Sequence, residues 1–479
     1  MMVAPVFRLA EIRLFERPVT LRLPFRFGVV TLTEAPQAFV RLRIETPDGR
    51  GAWGAAAELM APKWFDKDPA LSNEQNFDQL RRSLRHAADA YLADVAARTA
   101  FGHSAAHHAA LVRQGAGTGL NALVASYGPA LLDRAAIDAL CRLQGMPFVA
   151  GLKTNLFGIQ AAVLTPDLAG FDLDGWLATV MPSGHIAARH TVGMIDPLRD
   201  ADLPAERRLK DGLPETLEGA IAQYGHRWFK LKIGGNIETD LARLQGIAAV
   251  LDSSDAPYRA SLDGNEQYDD VHGIAALWQA MQAAPTLGRL CAAIRYIEQP
   301  IRRAAALEQP VDSLAARIPL IVDESDADYD VFPLARALGY RGISSKTCKG
   351  VYRAILNAAR CRQWNTGQGG AFFVTGEDLT CQAGLALQQD LALVAALGLG
   401  DVERNGHHYV DGFGTAPAAE QDAFLAAHAD LYRRDARSGR VRLGIRAGDI
   451  ALGSVLAAAG FGAAAEPDWG SLTPMSLNS

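Results

Sequence analysis

From Phe7 to Glu58 apolar and polar residues alternate, as in Phe39-Val40-Arg41-Leu42-Arg43-Ile44-Glu45, and Pro47-Asp48-Gly49 marks a turn. This period of two predicts an antiparallel meander. The period then lengthens: Asn73 to Ala97 is charged and rich in Ala and Leu, and Leu120 to Leu143 carries apolar residues three and four apart, which predicts helices. The first unit, residues 1–150, is therefore α+β. Beyond about Ala188, short β-like runs alternate with helical stretches, the pattern of βαβ units around a parallel sheet. Candidate strands end near Ile233, Leu262, Ile297, Val322 and Ser345, spaced by the roughly 30 residues that one βαβ step occupies. About eight such steps fill a (β/α)-barrel of TIM type, an α/β fold.

The barrel is assigned to residues 188–412, behind a Gly-, Pro- and Asp-rich connection over 151–187. Residues 413–479 form a C-terminal segment expected to return toward the first unit, with Arg440-Val441-Arg442-Leu443 as a strand and Gly453 to Leu456 as the return.

At 479 residues the chain exceeds one hydrophobic core, in keeping with this division. Its 47 basic and 53 acidic side chains give a formal charge of -6 without runs of either sign. Nucleic acid and membrane are therefore not expected partners, since both call for a basic field. Cys141, Cys291, Cys348, Cys361 and Cys381 form no even set and no C-x-x-C pair, so neither a disulfide framework nor a zinc site is expected from them. Met1 to Arg8 has no signal-peptide pattern and no window approaches about 20 apolar residues. A reduced, cytoplasmic protein is the expectation.

The chemistry lies where charged residues meet the strand ends. In Trp228-Phe229-Lys230-Leu231-Lys232-Ile233 the two lysines share one face and the apolar residues the other, which turns both lysines into a barrel lumen. The next strands end in Asp263 (followed by Gly264-Asn265), in Glu298 (followed by Gln299-Pro300) and in Asp323-Glu324-Ser325. Each ending alone is an ordinary turn. Three carboxylates in succession at one barrel end would repel one another, and a divalent cation resolves that repulsion. Oxygen ligands without His or Cys select a hard ion, magnesium first and manganese as a substitute.

The following strand, Gly342-Ile343-Ser344-Ser345, ends in Lys346, with Lys349 just beyond. Lysines on two strands beside a metal suit removal of the proton alpha to a carboxylate, with a desolvated lysine among other cations lowered in pKa to act as base.

These motifs, Lys230-Leu231-Lys232, Asp263-Gly264-Asn265, Ile297-Glu298-Gln299-Pro300, Asp323-Glu324-Ser325 and Ser345-Lys346-Thr347-Cys348-Lys349, resemble the enolase superfamily, and in particular its muconate-cycloisomerase-like branch. Arg26-Phe27-Gly28 and the stretch from Gly49 to Glu58 look like that family's N-terminal capping domain. The resemblance implies Asp263, Glu298 and Asp323 as ligands of one magnesium ion, Lys232 and Lys346 as acid and base on opposite faces of the substrate, and Lys230 as the partner of its carboxylate. Lys346 is preferred to Lys349 because it closes the strand. Asn265 and Glu324 would orient ligands and lysines.

Arg26, Lys63 and Trp64 in the cap loops, Glu377 and Asp378 after the seventh strand, and His407 after the eighth are candidate substrate contacts. No histidine-aspartate dyad of the mandelate-racemase kind is present, and Asp401-Val402-Glu403 only loosely resembles the acidic pair with which dipeptide epimerases hold an ammonium group.

The expected activity is that of a racemase, epimerase or cycloisomerase acting on a small carboxylate in a homo-oligomer. A dehydratase shares the first half-reaction and is the alternative. A Schiff-base aldolase using Lys346 and a noncatalytic ligand-binding barrel are the rivals from other classes.

Overall fold

The computed structural model describes residues 3–28, 30–366 and 371–475; the extreme ends of the two terminal segments lie outside the described residues. The alternating stretch forms three antiparallel strands, β1 (Arg8–Phe27), β2 (Val30–Glu45) and β3 (Gly51–Leu59). Their period of two buries Val40, Leu42 and Ile44.

Helices α1 (Asn73–Ala93), α2 (Ala100–Gly117) and α3 (Ala122–Leu143) complete this cap. Each starts at a side-chain cap: Ser72 with Gln75 in a reciprocal capping box, then Thr99 and Asn121. Helix α2 has no periodic signature in the sequence, because Phe101 and Leu111 are its only large apolar residues among those buried.

The barrel is built from β4 (His185–Val192), β5 (Trp228–Lys232), β6 (Arg259–Asp263), β7 (Ile294–Glu298), β8 (Leu320–Val322), β9 (Gly342–Ser345), β10 (Phe373–Gly376) and β11 (Asp401–Arg404). These pair in parallel in the order β10-β9-β8-β7-β6-β5-β4-β11. The sheet curls until β10 and β11 lie side by side, and there the backbone N–H of Asp378 donates to Glu403 Oε2 at 2.9 Å. Because β4 begins at His185, the last three residues read as connection, His185 to Ala187, are barrel wall.

The C-terminal segment contains a hairpin of β12 (Tyr432–Arg434) and β13 (Val441–Leu443), which includes the expected strand. Next, β14 (Asp449–Ala451) runs antiparallel along the start of β4. Gly453 to Leu456 is a helical turn rather than the return to the cap. The return begins just beyond it, where Pro147 bridges Ala459 and Gly460 and the Phe461 N–H donates to Asp138, and it continues to β15 (Thr473–Pro474), which pairs with β1 opposite Glu16 and Phe15. Two hydrophobic cores result. One lies under the cap sheet and continues into the C-terminal segment, and the other lies between β5–β9 and their outer helices.

Cap sheet and α3 approach to backbone contact at Gly54, where a Cβ atom would stand 2.2 Å from Ala135 O and 2.3 Å from Ala139 N. Neither main-chain atom can turn away as a side chain could. Gly54→Ala is expected to lower the unfolding free energy by about 3 kcal/mol, the upper range for overpacking. Gly184→Ala, with nothing within 4 Å, should stay within about 0.5 kcal/mol of the parent. Urea denaturation of the two variants makes the comparison.

Candidate active site

Strand β6 ends in Asp263, β7 ends in Glu298, and Asp323 follows β8 directly. All three carboxylates are fully buried. Alternation along β5 sends Phe229 and Leu231 into the outer core and leaves Lys230 and Lys232 for the lumen. Lys232 Nζ donates to Asp263 Oδ2 at 2.6 Å and to Asn265 Oδ1 at 2.7 Å. Asn265 Nδ2 in turn reaches Glu324 Oε1 at 3.0 Å.

Four strand positions round the eight-stranded ring, Lys346 Nζ donates to Asp323 Oδ2 at 2.6 Å. Lys349 is set aside from the cleft, bonded to Ser344 Oγ at 2.8 Å and paired with Asp326 Oδ2 at 3.0 Å. Gln299 holds two strand ends together: its Oε1 accepts from the Asp323 N–H at 2.8 Å and its Nε2 donates to Ser325 Oγ at 2.8 Å.

Lys230 occupies the centre. Its ammonium donates to Glu298 Oε1 (2.9 Å), Glu377 Oε2 (2.8 Å) and Glu403 Oε2 (2.9 Å) and stands 2.9 Å from Asp263 Oδ2. The partner expected for this lysine was a substrate carboxylate, but its protons are taken by carboxylates of the protein.

Burial works to depress Lys230, and the four carboxylates outweigh it and hold the ammonium well above its ordinary pKa. The same contest raises Lys346, with burial overridden by Asp323. Against burial, Lys346 and Lys349 hold Asp323 well below the ordinary carboxylate range, and Lys230 and Lys232 lower Asp263. Burial and the charges of Asp263 and Glu377 push Glu298 well up. The lysines were expected among cations, and their surroundings are anionic instead.

Asp263, Glu298 and Asp323 offer only oxygen donors, the set that suits a hard divalent ion. An observation at Glu298 fits that role: its buried Oε2 accepts no hydrogen bond among the described residues, with the Lys230 ammonium 2.8 Å away.

The cleft above is lined by Lys230, Lys232 and Lys346 below, Phe25, Phe27 and Trp64 from the cap, and Asp378 to Thr380 with Asn405 at the side. Each outer lysine lies against cap aromatics. Lys232 Nζ is 5.9 Å from the ring centres of both Phe25 and Phe27, and Lys346 Nζ is 4.3 Å from that of Trp64. A register shift between Thr20 and Phe25 bends β1, and the Met194 N–H donates to Arg26 O at 3.1 Å, tying the tip of the strand to the loop after β4.

The second cap loop is fastened as well. Lys67 Nζ donates to Asn265 O at 2.6 Å and pairs with Glu266 Oε2 at 2.6 Å. Arg303 forks onto Glu266 while donating to Trp64 O and Phe65 O. Asn265, Glu266 and Gln299 all have positive φ, of 39°, 68° and 31°, a concentration of backbone strain beside the carboxylates. With the loops fastened the cavity is about 30 Å³, room for a water or two, so a substrate enters only when the cap parts.

Of the expected substrate contacts, Trp64 and Asp378 line this cleft. The Trp64 indole N–H has no protein partner, whereas Asp378 is engaged by Arg404 at 3.0 Å and by the Cys381 and Asn405 N–H groups. Four others are not brought there. Arg26 falls between Phe25 and Phe27 and is exposed, because a strand alternates its faces. Lys63 donates to Asp68 O at 2.7 Å and to Leu71 O within its own loop. Glu377 lies deeper in the lumen, on Lys230 and Arg189 (2.8 Å). His407 packs with His190 and His226 in a separate cluster.

Phe25, Phe27, Lys67, Arg189 and Glu403 belong to the site or its foundation without having been singled out for these positions. The signal for Arg189 was its alternation with Thr191, whose Oγ1 donates to Glu403 Oε1 at 2.6 Å.

Residues 212–426 match the family model described as "Enolase C-terminal domain-like". Over those residues, which hold β5 to β11, the barrel is that of the enolase superfamily. No curated protein matches the chain. Among solved structures, the chain is similar to a dipeptide epimerase from Enterococcus faecalis V583 complexed with magnesium and the dipeptide L-Leu-L-Tyr, at 15% identity and TM-score 0.58, over 92% of this chain and 99% of that one. An enolase from Bradyrhizobium complexed with magnesium and mandelic acid matches at 15% identity and TM-score 0.57, over 94% of each chain. The L-Ala-D/L-Glu epimerase from Bacillus subtilis matches at 16% identity and TM-score 0.54, over 92% of this chain and 97% of that one. At these identities the likeness is one of fold: an enolase-superfamily α/β barrel beneath a mostly stranded N-terminal cap.

The fastening of the cap loop is measurable without a substrate. Lys67→Met removes charge-assisted bonds contributing about 1.5–3 kcal/mol. Amide hydrogen exchange over residues 61–68 should accelerate about ten- to a hundredfold, with β5 to β9 keeping their protection.

Proposed function

We propose that this protein is a magnesium-dependent enzyme that removes the proton alpha to the carboxylate of a small acid and returns a proton to the same carbon or to one conjugated with it, as a racemase, epimerase or cycloisomerase. One observation carries the reading: Lys232 and Lys346 enter one cleft from the second and sixth strands of an eight-stranded barrel, on either side of the carboxylates Asp263, Glu298 and Asp323.

In the forward direction Lys232, as the neutral amine, takes the proton, and the electron pair of the broken C–H bond moves into the substrate carboxylate. Lys346, as the ammonium, delivers its proton to the opposite face and is left neutral. The reverse reaction exchanges their roles. Magnesium held by the three carboxylates would supply positive charge to the substrate's carboxylate oxygens and weaken the pull of Asp323 that raises Lys346. Phe25, Phe27 and Trp64 exclude water from the two amines, and the free Trp64 N–H is available to the substrate.

A dipeptide substrate is not favoured by the acidic pair on β11. Asp401 is 3.2 Å from Arg189 Nε and Glu403 is bonded to Lys230, so neither carboxylate is free for a substrate ammonium.

The test is exchange of the alpha proton in heavy water with magnesium, followed by NMR over hydroxy acids, sugar acids, N-acyl amino acids and dipeptides. A substrate that exchanges with the parent should lose exchange on addition of EDTA, and Lys232→Ala and Lys346→Ala should each slow it about 10²- to 10⁴-fold. Exchange at the parent rate in both variants would sink the proposal. Exchange that survives EDTA, with borohydride trapping of Lys346, would establish an aldolase instead.

A further inference from the structure

Outside the barrel lumen, histidines from three separate stretches meet. His190 lies on β4, where its neighbours Arg189 and Thr191 point into the lumen and it therefore points outward. His226 precedes β5, and His407 sits in the short helix after β11. One ligand nitrogen from each lies within 4.8 Å of the other two. A fourth ring, His408, stands edge-on to His190 at 5.0 Å between centres.

The polar atoms of this cluster are poorly served as an ordinary core. His190 Nδ1, His407 Nδ1 and His408 Nδ1 are buried without a hydrogen-bond partner among the described residues, although most buried polar groups find one. His226 Nε2 and His407 Nε2 face each other at 3.3 Å, longer than the usual 2.9–3.0 Å of a hydrogen bond donated by nitrogen. Two nitrogens each about 2.0–2.1 Å from a zinc ion, at the tetrahedral angle, stand roughly 3.3–3.4 Å apart.

The far side of His226 has the partner such a ligand needs. Its Nδ1 lies 3.2 Å from Ala188 O, and a proton on Nδ1 shared with that carbonyl leaves the Nε2 lone pair directed at His407. Metal-bound histidines commonly carry this support. Burial and the crowding of the rings also keep the imidazoles in the neutral, ligating form, with His226 pushed down to about 4 and His190 and His407 well below their ordinary value.

We infer that His190, His226 and His407 form a binding site for a zinc-class divalent ion, separate from the carboxylate cluster, with water or His408 as fourth ligand. Imidazole donors favour zinc, copper, nickel or cobalt over magnesium, so the two sites would sort different ions. The role is structural: the ion would join the walls of β4, β5 and β11 beside the hairpin of the C-terminal segment.

The experiment uses the full chain, freed of any histidine tag and stripped by EDTA, with magnesium then added in excess. Cobalt(II) is titrated in, and the intense visible absorption of tetrahedral cobalt is followed. The expected result is one equivalent bound, displaced by zinc. Asp263→Asn should leave the band intact. His190→Gln and His226→Gln should each weaken binding at least about 100-fold, since even supporting partners contribute about 10- to 100-fold.

X-ray absorption of the zinc-loaded parent provides a reading that does not depend on variants folding, and three imidazoles at about 2.0 Å are expected there. A parent without the tetrahedral band overturns the site, as does a zinc shell of oxygen alone or a band unchanged in both histidine variants. The outcome is independent of the lysine chemistry, because no lumen residue takes part.

Discussion

The fully buried carboxylates of Asp263, Glu298, Asp323, Glu377 and Glu403 crowd one barrel lumen. Negative charge at that density is tolerated inside a protein only where cations stand among it. Lys230 reaches four of the five, and Lys346 with Lys349 serves Asp323. The curl of the sheet brings Glu377, after β10, within reach of Lys230 on β5, while β11 lies only two strands from β5. Removing one partner from a buried set of this kind costs about 3–5 kcal/mol. Fold stability and the proposed chemistry thus draw on the same side chains.

The cap depends on that lumen from above. Phe25, Phe27 and Trp64 lie over lysines whose positions are set by carboxylates, and Lys67 and Arg303 attach the loop through Glu266. Glu58 at the end of β3 adds a buried link, accepting from Arg134 in α3 and from the Thr347 hydroxyl next to Lys346. Desolvation pushes its carboxyl up to about 7. The cap is therefore an electrostatic continuation of the barrel, and its opening breaks ion pairs as well as apolar contacts.

The barrel and the lysine-carboxylate set were legible in the sequence because both rest on period-two alternation and on charged residues at strand ends, which are local features. Phe229-Lys230-Leu231-Lys232 declares its two faces within four residues. The errors arise where position depends on distant partners. Arg26 was weighed as a contact by its place in a loop, yet the register of β1 turns its two phenylalanine neighbours inward. Lys63 and Lys67 are equally plausible in one dimension, and only the fold of the loop decides that Lys63 holds its own backbone while Lys67 reaches the barrel. Nor could Lys230 be read as the hub of four carboxylates, since two of them lie about 150 residues or more downstream. The upward shifts of Lys230 and Lys346 have the same origin, in carboxylates distant along the chain.

The short pairing of β15 with β1 joins Thr473 and Pro474 to Glu16 and Phe15, segments separated by nearly the whole chain. During synthesis, β1 to β3 and their helices emerge before the barrel, and Phe15 and Glu16 at this edge of their sheet stay unpaired until β15 has been made. Strands β4 to β10 can pair one after another as they appear, each with the strand before it, and β11 then pairs with β4. Maturation of this edge thus waits for the whole barrel to be made, and a nascent chain carries an open strand that invites pairing with a neighbour until β15 arrives.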